Sequence, residues 1–299
     1  MVSPLRHGVA ELIRLPLAAV SLQTQLTTWA GGLFELSRSE LGAATAFIQG
    51  YDQLVSHWAR PGLSPLTDED RLLLLKDIAV FVWLDDAFTS SEHRSPVAWS
   101  HLGPGAPGPS REAQVFDRLH SSVRDRGGSP KALGLWLSTG VAFLELQERD
   151  WAERQRGESR QWTFLDYLLE AEINSTIQHM LATLSLLHGL DMHGRMEDPV
   201  FRSFLRNIGV LARLLNDLSS VERERQETAP RNVVLFLEGQ VDGEGPRSII
   251  EARVKAHREH LARDRTSLGE ADVLADCGML MLEAIERVYK LPGIRYEPR

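Results

Sequence analysis

The fold is decided above all by one long stretch, which reads FRSFLRNIGVLARLLNDLSSVERE over residues 201–224. Its leucines recur at the spacing of one face of an α-helix, and they are Leu211, Leu214, Leu215 and Leu218. Apolar stripes of the same period run over 34–58, 133–151 and 164–187. No stretch alternates apolar and polar residues between turn signals, as a β-hairpin would. The sequence therefore predicts an all-α protein.

Residues that favour helix N-termini precede several of these apolar runs. They are Thr67, Ser129 and Thr163. Stretches rich in Gly and Pro interrupt the helical pattern at 103–110, 126–130 and 242–246. Neither periodicity nor composition changes across these breaks, so we interpret them as surface loops rather than domain boundaries. We expect one domain over residues 1–299, with about ten helices at the usual helix and loop lengths.

The composition excludes several classes of protein. The chain has 299 residues and a formal net charge of −8, which argues against a general nucleic-acid binder because phosphate contacts need a positive surface. A single cysteine, Cys277, excludes an internal disulfide and a zinc site with several cysteines. The early apolar run from Leu15 to Leu22 is too short to span a membrane, and no small-residue cleavage site follows it. We therefore expect a cytoplasmic protein without stable membrane insertion.

Two adjacent carboxylates end an apolar run in the first half of the chain. The run from Ile78 to Leu84 leads directly into Asp85 and Asp86. Buried carboxylates are costly unless they are paired or bound to metal, and the C-terminal end of a helix disfavours negative charge. A divalent cation would offset both effects. The alternative is a helix that emerges into solvent at these aspartates.

A second polar pattern lies at the end of the stretch quoted first. Asn216, Ser220 and Glu224 fall at i, i+4 and i+8, close to one helix face. They offer an amide carbonyl, a hydroxyl and a carboxylate, which are hard oxygen ligands suited to Mg²⁺ and its substrate phosphates. Arg223 could reach a phosphate oxygen beside the ion. The alternative is a solvated face with Glu and Arg pairs.

With both motifs in one helical chain, the sequence resembles the bacterial class I terpene synthases, or terpenoid cyclases. That family carries an aspartate-rich DDxxD-type motif and an NDxxSxxxE motif on opposite walls of an α-helical bundle. The second motif is complete at 216–224. The pair Arg295-Tyr296 is similar to the Arg-Tyr pair that the family folds over the substrate diphosphate. The resemblance implies the isoprenoid synthase fold and an enzyme that ionises an isoprenyl diphosphate.

The resemblance also assigns roles to single residues. It implies Mg²⁺, as three ions around the diphosphate, held by Asp85, Asp86, Asn216, Ser220 and Glu224. Within this set, Asp85 and the three residues of the second motif are the catalytic residues. The implied diphosphate contacts are Arg223, Arg295 and Tyr296. A homodimer is a further expectation from the family.

Two positions depart from the family pattern. Thr89 occupies the fifth position of the aspartate-rich motif, where the family has an acid. Glu170 occupies the position of an arginine that senses the diphosphate, and no Arg or Lys lies within 161–194. We expect either that another cation such as Arg223 or Arg295 holds the diphosphate, or that closure of the site is triggered differently.

The cavity of such an enzyme must exclude water, because an allylic cation reacts with any nearby nucleophile, and aromatic faces stabilise cations. Candidate wall residues are Phe81, Trp136, Phe143 and Tyr289. Each of them could instead be an ordinary core aromatic. Asn174, with Ser175 after it, predicts a break in its helix because short polar side chains compete with helical hydrogen bonds. The family exposes a backbone carbonyl to the cavity at this point, and an exposed polar turn is the alternative.

The resemblance thus implies a carbon–oxygen lyase acting on phosphates, namely a Mg²⁺-dependent diterpene synthase. Geranylgeranyl diphosphate or a bicyclic copalyl-type diphosphate is favoured, because the compact chain without a sensor arginine looks more like bacterial diterpene cyclases. A sesquiterpene cyclase that uses farnesyl diphosphate is the alternative. A prenyltransferase acting on another acceptor, and a prenyl-diphosphate-binding protein that has lost turnover, also stay open. A chain-elongating prenyltransferase is disfavoured, since it would carry a second aspartate-rich motif at 216–224.

Overall fold

The computed structural model describes residues 63–90, 110–156, 163–226, 231–238, 240 and 245–289, together with six residues between Leu22 and Trp29. In chain order, the helices of these main ranges are α1 (Asp68–Ser90), α2 (Arg111–Arg126), α3 (Pro130–Gln155), α4 (Phe164–Asn174), α5 (Ile177–His188), α6 (Met192–Arg195), α7 (Pro199–Glu224), α8 (Val233–Glu238), α9 (Pro246–Leu268) and α10 (Val273–Val288). The described residues contain no β-strand, and the predicted all-α fold is confirmed. No helix among them is both long and apolar enough to cross a lipid bilayer.

Helix α7 is the centre of the described bundle. It packs against α4, α9 and α10, with further contacts to α5 and α8. Most of its apolar face is buried, with no exposed surface on Phe201, Phe204, Leu211 or Leu214, while Leu215 and Leu218 are partly buried. Burying a side chain of this size stabilises the fold by about 1.5–3 kcal/mol. The leucine stripe that predicted the helix therefore also anchors it.

The helices α1, α3 and α5 form the facing part of the bundle. Helix α1 packs against α2 and α5, and α3 packs against α5 and α4. The buried residues of α1 include Leu74, Ile78, Phe81 and Leu84, which lie on the stripe that ends at Asp85. This arrangement brings the second half of α1 opposite the last turns of α7.

The predicted helix starts are confirmed at three places. Helix α1 begins directly after Thr67. The side chain of Ser129 accepts a hydrogen bond from the backbone N–H of Ala132, and Thr163 forms a capping box with Asp166. Each cap satisfies backbone donors that the first helical turn leaves without partners. The predicted stripe over 34–58 and most of the loop at 103–110 lie outside the described residues.

The helical pattern of 164–187 is interrupted where the sequence predicts a break. Helix α4 ends at Asn174, Ser175 follows as its C-cap, and Thr176 has a left-handed φ of 58°. The Ser175 hydroxyl donates to the carbonyl of Glu172 (2.9 Å) in place of the next helical hydrogen bond. A β-branched residue in this conformation costs about 1–3 kcal/mol, so the surrounding structure must hold the break in place.

Gly209 marks a close approach between α7 and α4, next to this break. A Cβ at this position would lie 3.1 Å from the Cα and the carbonyl oxygen of Glu172, and 3.0 Å from Ser175 Oγ. Backbone atoms cannot move aside as the end of a flexible side chain can. The glycine therefore sets the spacing of the two helices beside the break.

We expect Gly209→Ala to destabilise the protein by about 1–3 kcal/mol, because the added methyl group overpacks this contact. The better helix propensity of alanine recovers only about 1 kcal/mol. Gly134→Ala is the matched control, since no heavy atom lies within 4 Å of its added Cβ on the exposed side of α3. That control should gain stability. Urea denaturation of the two variants measures both effects, and a stabilised Gly209→Ala variant would contradict the close contact.

Candidate active site

A cavity of about 100 Å³ lies between α1, α3, α5, α7 and α10. Six of the residues selected from sequence line it, and they are Phe81, Asp85, Phe143, Asn174, Asn216 and Tyr289. The cavity is smaller than the roughly 300–1,000 Å³ that is usual for ligand pockets. A prenyl chain would therefore need some of these side chains to move aside.

Of the NDxxSxxxE residues, Asn216 lines this cavity and Ser220 is hydrogen-bonded to it, whereas Ser220 and Glu224 are not among the lining residues. Asn216 donates through Nδ2 to the Tyr289 hydroxyl (3.1 Å), which turns its Oδ1 toward Ser220. Asn216 Oδ1 and Ser220 Oγ are 3.2 Å apart, close to the edge of about 2.9 Å expected for an octahedron with the short bonds of Mg²⁺. Ser220 donates its proton to the backbone carbonyl of Asn216 (2.8 Å) and accepts from Asn232 Nδ2 (3.4 Å), which leaves one lone pair of Oγ for a metal ion. These oxygens fit a magnesium site.

Glu224 ends α7 and is almost completely buried, at 6% exposure. Arg223 Nη2 lies 3.2 Å from Glu224 Oε1 and neutralises part of its charge. A buried carboxylate beside hard oxygen donors is the arrangement expected of a Mg²⁺ ligand. Among the described residues no group of three or more His, Cys, Asp or Glu could hold a metal, so the site depends on mixed amide, hydroxyl and carboxylate donors.

Asp85 lines the same cavity from α1 and is half-buried. The helix continues to Ser90, so Asp85 lies more than a turn before its end. The predicted opposition of two walls is therefore present, with Asp85 on one wall and Asn216 on the other. The side chains of Asp86 and Thr89 lie outside the described residues, as do Arg295 and Tyr296, and their predicted roles stay predictions.

Asp217, the second residue of the NDxxSxxxE motif, is fully buried and forms structural hydrogen bonds instead of lining the cavity. Its Oδ2 accepts hydrogen bonds from the Tyr167 hydroxyl and the backbone N–H of Val233, both at 2.7 Å. Its backbone carbonyl accepts from Asn232 Nδ2 (2.8 Å). Burial raises the pKa of Asp217 to about 6, against the opposing charge of Arg213. The motif thus ties α7 to α4 and to the segment that leads into α8.

Arg213 is one of the residues of this site that the sequence analysis missed. It lines the cavity and its side chain is 16% exposed. Its Nε lies 3.1 Å from Asp217 Oδ1, and its Nη2 donates to the carbonyl of Arg231 (2.6 Å). The signal in the sequence is an arginine inside the apolar run Leu211 to Leu215, where an unpaired charge would be costly.

The charges around Arg213 come from both walls of the cavity. Burial lowers the pKa of its guanidinium, but the surrounding groups outweigh that effect and raise the pKa well above its usual value. The carboxylates that contribute are Asp217, Glu224 and Asp85. A fixed cation therefore lies between the two acidic motifs, where an anion would be bound with the metal.

Glu170, at the position of the missing sensor arginine, is not among the residues that line the cavity. Its Oε1 accepts from Arg149 Nη2 (2.5 Å) and its Oε2 from Arg231 Nη2 (3.2 Å). Arg231 also forms an ion pair with the buried Asp150. Burial and the charge of Arg149 lower the pKa of Arg231 to about 9. Glu170 thus belongs to an ion-pair network that fastens the start of the α8 segment to α3 and α4.

The structure places Trp136 behind the cavity wall rather than on it. The ring is fully buried, and its indole N–H donates to Thr183 Oγ1 (3.1 Å). His179 and Asp77, which the sequence analysis did not select, line the cavity in front of it. The signal for Asp77 was a carboxylate within the apolar run of α1. The sequence gives no comparable signal for His179, because the residues around its ring lie on α1 and α3, far away in the sequence.

A family model of known proteins matches part of this chain. Residues 144–260 match the family model of terpene synthase family 2, C-terminal metal binding. This match covers 216–224 and less than half of the chain.

Several solved structures share the fold. A 2-methylisoborneol synthase from Streptomyces coelicolor A3(2), in complex with Mg²⁺ and 2-fluoroneryl diphosphate, superposes with a TM-score of 0.72 at 13% identity, covering 95% of this chain and 94% of its own. An α-eudesmol synthase gives 0.70 at 10% identity, with 91% and 94% covered. The SVS_A2 protein from ancestral sequence reconstruction gives 0.71 at 15% identity, with 94% and 88% covered. The chain therefore has the class I terpene synthase fold.

Proposed function

We propose that the protein is a Mg²⁺-dependent class I terpene synthase, a carbon–oxygen lyase that ionises an isoprenyl diphosphate and cyclises the cation. The observation that carries this proposal is the cavity with Asp85 on one wall and Asn216, hydrogen-bonded to Ser220, on the other. The match of 144–260 to a metal-binding family model supports it. We further propose that residues 1–299 form one catalytic domain and that the enzyme acts in the cytoplasm.

The metal ligands of this proposal are Asp85, Asp86, Asn216, Ser220 and Glu224. Bound Mg²⁺ would supply Lewis-acid stabilisation of the departing diphosphate. Arg213 would contact the same diphosphate from between the walls, in place of the arginine that the family has at Glu170. A rigid guanidinium is suited to this task because it presents several donors in one plane.

The apolar part of the cavity would receive the prenyl chain. Phe81 and Phe143 lie with ring centroids 5.2 Å apart, and both line the cavity. Their faces can stabilise a carbocation, and their burial keeps water from it. At Asn174 the helix break leaves backbone groups without helical partners beside the same space, which favours contact with the cation.

For the substrate we propose geranylgeranyl diphosphate or a bicyclic copalyl-type diphosphate, as the sequence predicts. A shorter substrate is the second candidate. A solved neighbour that binds geranyl-S-thiolodiphosphate supports it.

The test is incubation of the purified protein with geranyl, farnesyl, geranylgeranyl or copalyl diphosphate, with Mg²⁺ or with EDTA. Released diphosphate and the hexane-soluble products are measured together, the latter by gas chromatography–mass spectrometry. We expect a cyclic hydrocarbon or alcohol from one substrate with Mg²⁺ and none with EDTA. Diphosphate release only after addition of a prenyl acceptor would instead indicate a transferase, and no release from any substrate would indicate a binding protein.

A further inference from the structure

An acid–base pair that the proposed ionisation step does not use lies in the wall of the cavity. Asp77 on α1 and His179 on α5 both line it, although they are only 1% and 2% exposed. His179 Nε2 and Asp77 Oδ1 are 3.0 Å apart. Asp77 precedes Asp85 by two helical turns, so the pair lies about 12 Å along α1 from the proposed metal ligand.

The hydrogen bonds around the pair assign its protons. The Thr183 hydroxyl donates to Asp77 Oδ2 (2.5 Å), and Trp136 donates in turn to Thr183. An ionised carboxylate only accepts, so His179 Nε2 carries a proton and donates it to Asp77 Oδ1. The other ring nitrogen, Nδ1, is then the acceptor of a neutral imidazole, and Thr139 Oγ1 lies 3.1 Å from it.

Asp77 is placed to balance a positive charge on the His179 ring. Among the described residues, His179 is the only ionisable side chain in contact with Asp77. Hydrogen bonds from His179 and Thr183 satisfy both oxygens of this carboxylate, and a protonated ring would form an ion pair with it. Thr139 accommodates both states, because its hydroxyl can donate to Nδ1 or turn to the carbonyls of Leu135 and Trp136, each 3.0 Å away.

The imidazole is also held at a fixed place beside the proposed path of the cation. Its centroid is 4.1 Å from that of Phe81, one of the aromatic residues of the cavity wall. On α3, Gly140 leaves room for the ring, since a Cβ at that position would lie 3.3 Å from His179 Nδ1. The ring is therefore fixed between Phe81 and Gly140 at the wall of the cavity.

We propose that His179 is the base that ends the cyclisation, with Asp77 as the residue that positions it and balances its charge. This inference rests on the proposed terpene synthase function. A C–H bond next to the cationic carbon breaks, its electron pair forms the C=C bond of the product, and the proton binds His179 Nδ1. The imidazolium then pairs with the Asp77 carboxylate, and the proton leaves to solvent when the site opens for product release.

The test compares Asp77→Asn and His179→Gln with the wild type in the assay described above. Both variants should release diphosphate at a rate within about threefold of the wild type, because ionisation occurs at the other end of the cavity. The main alkene should fall at least about tenfold relative to products of earlier deprotonation or water capture, a modest part of what a general base contributes. An unchanged product ratio in both variants would overturn the proposal, whatever the rate.

Ser185→Ala is the matched control, since this buried hydroxyl on the same helix bonds to Leu190 and Met192 and not to the pair. It should lower the melting temperature and leave the product ratio unchanged. A shift of the ratio in this control would mean that loosening α5 alone explains the effect, and would overturn the proposal. If the Asp77 and His179 variants do not fold, Thr139→Val replaces them as the test. It removes the hydroxyl beside His179 Nδ1, and the product ratio should shift in the same direction.

The outcome also separates this inference from the function on which it rests. A wild-type protein that releases no diphosphate from any of the four substrates contradicts the terpene synthase itself, and the base with it. A wild type that forms a product whose ratio is unchanged in Asp77→Asn and His179→Gln contradicts only the role of His179.

Discussion

Asn216→Ala should slow Mg²⁺-dependent release of diphosphate by at least about a hundredfold while leaving the helical circular dichroism unchanged. The substitution removes an amide oxygen that lies 3.2 Å from Ser220 Oγ on the cavity wall. Metal stabilisation of a leaving group contributes several kcal/mol, and each 1.36 kcal/mol corresponds to a factor of ten in rate. Asp85→Ala should have the same effect from the opposite wall. The measurement is initial rate against Mg²⁺ concentration.

Two controls make this result specific. Asn207→Ala removes a buried asparagine from the same helix, where it bonds to Asp264 and His257 away from the cavity, so its rate should stay near that of the wild type. Tyr289→Phe removes only the hydroxyl that accepts from Asn216 Nδ2, and it should cost much less than the loss of the amide. Full activity in Asn216→Ala or Asp85→Ala would contradict the assignment of that residue as a metal ligand.

Arg213→Lys should reduce diphosphate release by about ten- to a hundredfold, because lysine keeps the charge but cannot present the planar donor set of a guanidinium. Simple removal of the charge would be harder to interpret. Arg213→Gln leaves Asp217 buried without its cation, and breaking such a pair costs about 3–5 kcal/mol of stability. The double variant Arg213→Gln with Asp217→Asn avoids that imbalance and should fold, yet release diphosphate more slowly still.

Arg206→Gln is the control for Arg213, since this arginine lies on the same helix, is 63% exposed and pairs with Glu172. It should behave as the wild type. The kinetic constants of Arg213→Lys show whether Arg213 contacts the diphosphate. Loss of such a contact should raise the KM and lower the kcat. A variant with wild-type values for both would show that Arg213 serves only the buried pair with Asp217.

Much of the fold could be predicted from the sequence, because its signals are local. The leucines of α7 recur at helical spacing whatever surrounds them, and Ser129 and Thr163 cap helices through their nearest backbone neighbours. The break after Asn174 is local as well. The proposed metal ligands on α7 are also a local signal, since residues four apart in a helix lie on one face.

The remaining features depend on partners that are distant in sequence. His179 became an acid–base candidate only when α1 brought Asp77 within 3.0 Å of it. Glu170 stands in the place of an expected arginine, and its actual task was hidden until the fold brought Arg149 and Arg231 to it. Trp136 is a large aromatic residue of the kind that lines such cavities, but the fold places His179 between it and the cavity. The burial of a polar side chain is decided by these pairings and not by its own neighbours in the sequence.

The hydrogen bonds of Asp217 have a consequence for recombination between related enzymes. The backbone of Val233 and the side chain of Asn232 are joined directly to the helix that carries Asn216 and Ser220, and the carbonyl of Arg231 holds Arg213. A chimaera with a crossover after Glu224 would combine a metal-binding wall from one parent with a supporting segment from another. Exchangeable blocks should therefore begin before Pro199 and end after Glu238, so that both halves of this connection come from the same parent.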